Sequence, residues 1–119
     1  MHSKINLIIQ NFYTILYPQI KTMEREFTIK GVVFTDSTSY SQGDKNHIPT
    51  MFSAKIGNNT ITITNGHIYH KGQWLFHCYE LGFNTVVLAK AKTKEEAATG
   101  AINTCKAKIE ILYKLFKNL

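Results

Sequence analysis

Arginine, cysteine, aspartate and proline are scarce in this chain of 119 residues. Arg25 is the single arginine against thirteen lysines, Cys78 and Cys105 are the only cysteines, and Asp36 and Asp44 the only aspartates. Each scarcity excludes something. Arginine supplies the planar fork that reads guanine edges, so sequence-specific base reading is disfavoured and nucleic-acid contacts fall to lysines on the phosphate backbone. Two cysteines are too few for a disulfide-rich secreted scaffold. No Cys-x-x-Cys pair occurs and both aspartates stand in one polar loop, which argues against a zinc centre or a carboxylate metal site. Glycines occur singly at turns, so a phosphate-cradling loop is missing and no cofactor is expected.

Long apolar runs are missing as well. Ile5, Leu7, Ile8, Ile9, Phe12, Tyr13, Ile15 and Leu16 are interrupted by Asn6, Gln10 and Asn11, with no small-residue cleavage site. This argues against a signal peptide and a membrane span and predicts a cytoplasmic protein with no membrane partner. Ile5, Ile8, Phe12 and Leu16 fall at helical spacing, which predicts a short amphipathic helix stopped before Pro18. Residues 1–22 then form an N-terminal helical extension and residues 23–119 a single α+β domain; Met23 is an alternative start.

What is present suits one globular domain: 44% hydrophobic residues and a formal charge of +6. The charge is local. Residues 1–22 sum to +2, residues 23–87 to zero and residues 88–119 to +4. Fourteen isoleucines and nine asparagines accompany the lysines, a pattern that AT-rich coding produces and that accounts for part of the basicity.

From residue 26 the hydrophobic period is two. It predicts a first strand over 26–35, a polar loop over 36–49, and a meander in which Phe52, Ala54 and Ile56 alternate with Ser53 and Lys55. Gly57-Asn58-Asn59 turns the chain into a strand over 60–64. Asn65-Gly66 suits a type I′ turn and predicts that 67–70 returns as the partner of 60–64. Trp74, Phe76 and Cys78 mark a further strand, and a last one spans 85–92. The expected fold is an antiparallel meander of about five to six strands with a C-terminal amphipathic helix packed on one face. Thr93-Lys94-Glu95-Glu96 is a capping box that starts this helix. Its stripe of Ala98, Ile102, Cys105, Ile109, Leu112 and Phe116 is expected to cover the sheet.

Chemistry-bearing residues are few. The histidines His67 and His77 raise the possibility of a metal-independent ribonuclease using paired imidazoles. However, His67 and His70 on a regular strand point to opposite faces, and both cysteines read as core residues. A non-catalytic binding protein is therefore expected, with no catalytic or metal-binding residue. The candidate partner-binding residues are Lys90, Lys92 and Lys94 at the strand-to-helix junction, with Lys106, Lys71, Tyr69, His77 and Tyr79. Exposed aromatics beside lysines make a stacking platform for unpaired bases. The long loop adds Tyr40, Lys45 and His47 as contact candidates.

Residues 73–108, with Trp-Leu-Phe-His-Cys-Tyr-Glu, Thr-Val-Val-Leu-Ala-Lys-Ala-Lys and Thr-Lys-Glu-Glu-Ala-Ala opening a helix, resemble two patterns. One is the three-stranded sheet plus helix of ethylene-response-factor and phage-integrase arm DNA-binding domains. The other is the sheet-plus-helix ending of double-stranded-RNA-binding and antitoxin domains. The chain lacks the arginine-rich sheet of the first and the glycine-lysine loop of the second, so no binding residue is carried over. In size and style it also resembles phage-borne anti-CRISPR proteins. The expected function is binding of nucleic acid, RNA favoured, through backbone contacts, or of a ribonucleoprotein. The alternatives are a phage-type inhibitor that docks on a host defence nuclease such as a CRISPR effector, and the small ribonuclease.

Overall fold

A computed structural model describes residues 24–40 and 47–119. The N-terminal helix expected before Pro18, and Lys45, lie outside the described residues. Six strands form one antiparallel sheet: β1 (Glu26–Ile29), β2 (Val32–Asp36), β3 (Met51–Ile56), β4 (Asn59–Thr64), β5 (Leu75–Cys78) and β6 (Phe83–Val87). Each pairs with its chain neighbours, in the order β1-β2-β3-β4-β5-β6. A single long helix, α1 (Lys94–Lys117), follows. This is the α+β meander that the hydrophobic pattern predicts.

Three strand boundaries differ from the sequence reading, each for a local reason. Residues 26–35 are a hairpin and not one strand: Lys30 and Gly31 both take positive φ, 53° and 77°, and Ile29 pairs with Val32 across them. The turn shifts the alternation by one position, so Val32 and Phe34 join Phe27 and Ile29 on the core side while Val33 is 46% exposed.

Asn65-Gly66 does not form the expected hairpin. The Thr64 hydroxyl accepts the Gly66 amide at 3.1 Å and donates to the Thr50 carbonyl at 2.7 Å, holding this stretch against the start of β3. A Cβ at Gly66 would sit 3.0 Å from Thr50 Oγ1, so the glycine is there for close approach and not for a positive φ. Residues 67–73 make two successive turns, closed by His70 N–H to His67 O and Gln73 N–H to His70 O, both at 3.1 Å. The partner of β4 is β5, with Thr62 opposite His77. Finally, β6 ends at Val87. The Leu88 amide still donates to Trp74 O at 2.8 Å, but Ala91 N–H then returns to Leu88 O, which places Lys90 on a turn and Lys92 just after it, before the helix cap.

One face of the sheet is apolar and lies under α1. Phe27 stacks on Phe34 at 5.3 Å and meets Phe52 edge-on at 5.2 Å. Ile61, Ile63, Phe76 and Cys78 continue this layer. The helix contributes Ala97, Ala98, Ala101, Ile102 and Cys105, whose small side chains let the helix approach the bulky aromatic layer closely. Each fully buried phenylalanine or isoleucine contributes on the order of 2 kcal/mol.

The helix begins as the capping box predicts, with one shift. Thr93 Oγ1 accepts the Glu96 amide at 3.1 Å, but Glu96 Oε2 reaches the Lys92 amide, at 3.4 Å, one residue before the cap. The far end departs from expectation. Ala98, Ile102 and Cys105 are buried, but Ile109 is 47% and Phe116 70% exposed. The stripe continues without a break while the sheet beneath it ends, so the last turns of α1 overhang.

Candidate nucleic-acid interface

The sheet face away from α1 is polar across its middle, and toward the end of β5 next to Trp74 it carries the fully buried Leu75 opposite Thr64 and Val87. Thr35, Ser53, Thr62 and His77 are register neighbours across β2 to β5. Ser53 Oγ is linked to Ser37 Oγ at 2.8 Å and to Thr62 Oγ1 at 2.9 Å. Small hydroxyls that satisfy one another keep this face low and hydrated.

His77 closes the row. Its Nδ1 accepts the Thr85 amide at 3.0 Å, next to the register shift between Phe76 and Cys78 and opposite a Thr85 with φ of 55°. The imidazole stands in for a strand carbonyl, and only a ring unprotonated at Nδ1 can do so. Burial, followed by the neighbouring His67, lowers its pKa. The ring stacks on Tyr79 at 5.5 Å and 15°, and Tyr79 is 66% exposed.

The turns over 67–73 add a second set of rings. His67 lies 5.3 Å from His70 and 5.9 Å from Tyr69, and the Tyr69 amide donates to His67 Nδ1 at 3.2 Å. A regular strand would have separated these imidazoles, as the sequence reading expects; the turn brings them together. Tyr69 itself is 84% exposed. Among the described residues, no three His, Cys, Asp or Glu side chains converge as metal ligands.

The lysines divide into free and held. Lys71 is exposed on the second turn. A recess of about 160 Å³, lined by Gly72, Gln73, Leu88, Ala89, Ala91 and Lys92, joins that turn to the chain leading into α1. Lys90 lines a neighbouring recess with Glu96 and Gly100. Lys71, Lys90 and Lys92 have no ion-pair partner among the described residues. Lys94 is held: its ammonium lies 3.2 Å from Glu24 and 4.0 Å from Glu95, and 5.1 and 5.5 Å from the ring centres of Phe27 and Phe52. It fastens the start of β1 to the first turn of α1. Lys106 stands apart, beside Ile56, Cys78 and Ile109. The geometry thus brings Lys71, Lys90 and Lys92 to one end of the sheet and separates Lys94 and Lys106 from them.

Both thiols are buried. Burial raises the pKa of Cys78 and pushes Cys105 up to about 12, with Cys78 adding to the latter, so neither is a thiolate nucleophile at neutral pH.

Composition alone gave no reason to single out the base of the long loop. Asp36 Oδ2 accepts from Arg25 Nη1 at 2.6 Å and from the Tyr40 hydroxyl, and Asp36 Oδ1 accepts the Thr38 amide at 2.9 Å. The Arg25 guanidinium also donates to Tyr40 and, at 3.3 Å, to the His47 carbonyl. Tyr40 and His47 pack ring to ring at 5.0 Å. The sole arginine thus clamps both stems of the loop, and the two loop candidates are parts of that clamp. The one sequence signal was rarity: a lone Arg near one of only two aspartates, with the same hairpin between them.

Tyr69 with its imidazoles lies next to Lys71 on the turns, at the sheet end where Lys90 and Lys92, like Lys71, have no ion-pair partner among the described residues, whereas Tyr79 stands with His77 toward the other end of β5. No helix among the described residues is long and apolar enough to cross a membrane. No protein-family model, curated protein or solved structure matches the chain.

Proposed function

We propose that this protein is a non-catalytic binder of single-stranded RNA, alone or within a ribonucleoprotein, acting in the cytoplasm. The observation that carries the reading is the outward exposure of Tyr69 and Tyr79, with Lys71 two residues from Tyr69 and Lys92 lining one recess with the turn that bears Lys71. Large aromatic side chains ordinarily fill a core; held outward beside cations, they stack unpaired bases, while lysines follow the phosphates. RNA is favoured over duplex DNA because the rings stand on a sheet face and its adjoining turns, and α1 packs its N-terminal half on the opposite face. His77 supports the surface as a fixed neutral ring and is not a proton donor in this reading.

Fluorescence anisotropy with a short labelled oligouridylate tests the proposal. The logarithm of the affinity should fall linearly with the logarithm of salt concentration, with a slope of about −0.7 per phosphate contacted. Lys71→Glu with Lys92→Glu should weaken binding at least tenfold and flatten that slope. Tyr69→Ala should cost about 1–3 kcal/mol, the range for one stacked base, without changing the slope. No binding at low ionic strength, or binding that ignores salt, rejects the reading. Recovery of one stoichiometric protein without RNA in a pull-down would favour the docking inhibitor.

A further inference from the structure

The overhanging end of α1 is an apolar surface with no role in the reading above. Ile102, Cys105, Ile109, Leu112 and Phe116 step by three and four residues, a heptad seam whose first part is buried on the sheet, and Leu119 follows just past the helix end. Beyond Lys108 the seam widens. Ile111, Tyr113 and Leu115 join it, giving an apolar arc of about 200° at 100° per residue. Glu110, Lys114 and Lys117 occupy the remaining arc, and the Lys117 ammonium lies 6.0 Å from the Tyr113 ring centre at its border, so the middle of the apolar side, around Leu112 and Phe116, can be covered without burying a charge. Tyr113 is 65%, Leu115 60% and Leu119 97% exposed.

Area decides what such a face needs. Fully exposed rings offer on the order of 150–250 Å² each; Tyr113 and Phe116 expose about two-thirds of that, and with the aliphatic side chains the whole face reaches at most roughly 600 Å², the upper end of what monomers expose. Two such faces together bury up to roughly 1,200 Å², the lower bound of a stable interface. We propose that the overhang is a homodimer interface, in which residues 109–119 of two copies lie antiparallel about a two-fold axis near Lys114, with Leu112 of each copy against Phe116 of the other. Three features point to a second copy. The seam has the three-four spacing by which helices interlock. An isologous pairing needs only the one face the chain presents. The overhang projects past the sheet, so two helices can meet while their sheets stay apart.

Sedimentation equilibrium on the full chain tests this. The expected mass is twice 13.6 kDa, falling to the single value in Leu112→Asp with Phe116→Asp, whose helix content and cooperative melt are retained. To guard against a misfolded variant, an equimolar mixture of Leu112→Cys and Phe116→Cys chains should form the mixed covalent dimer under mild oxidation and Lys114→Cys, on the polar arc, should not, the native thiols being buried. A monomer at all concentrations up to about 100 μM, a Kd weaker than roughly −5.5 kcal/mol of association, overturns the proposal. So does a monomer that dimerises only when residues 1–22 are deleted, which would assign the face to that segment. Loss of RNA binding with the dimer intact overturns the functional reading and leaves this one standing.

Discussion

Asp36 is mostly enclosed, and burial alone would raise its pKa; hydrogen bonds from the Thr38 hydroxyl and amide, Tyr40 and Arg25 outweigh that effect and lower it to about 2. A carboxylate whose folded value lies below its unfolded value of 3.8 adds stability above that value and loses it as pH falls toward 2. The contribution at neutral pH is roughly 2 kcal/mol, reduced by solvent screening at the half-exposed guanidinium. Asp36→Asn should therefore lower the melting temperature at neutral pH, and its difference from wild type should shrink between pH 4 and pH 2. A difference that stays constant over that range would show that the clamp works through shape and not charge.

At the level of elements, α1 rests on its cap. Thr93→Ala removes the acceptor for the Glu96 amide and should cost about 1 kcal/mol, read as a lower midpoint in urea with an unchanged slope; Thr93→Ser should restore it. The elements most legible in the sequence were those with their own punctuation. The capping box and the four-three stripe located the helix start, apolar–polar alternation located β3, and its β-branched residues located β4. Boundaries failed where tertiary contacts decided. Lys30-Gly31 turns although Asn-Gly is the favoured pair, because Ile29 and Val32 both find the core. Asn65-Gly66 has the favoured dipeptide but is captured by Thr64 and Thr50. The candidate site was legible as a set of residue types, since Tyr69, His77, Tyr79, Lys71, Lys90 and Lys92 were all singled out. Its division was not: nothing in the spacing of Lys90, Lys92 and Lys94 reveals that the third is spent on Glu24.

For the molecule as a whole, the RNA reading and the dimer reading reinforce each other. Two copies joined at their helix ends would carry two basic aromatic surfaces, and a strand long enough to reach both would gain avidity without a new contact. Anisotropy with oligonucleotides of increasing length should then show a step in affinity in wild type that Leu112→Asp with Phe116→Asp abolishes, while short-oligonucleotide affinity is unchanged.

The strand order has a consequence for synthesis. Because every strand pairs with the one just made, hairpins can close successively as the chain leaves the ribosome, and only the connections over 37–50 and 65–74 are long. The apolar layer of Phe27, Phe34, Phe52 and Ile61 cannot be covered until Ala98 to Cys105 have emerged. A chain that stalls after Val87 thus presents a paired but bare sheet, the kind of species that aggregates. Truncation at residue 92 should yield insoluble protein, and supplying residues 93–119 as a separate peptide during refolding should recover it.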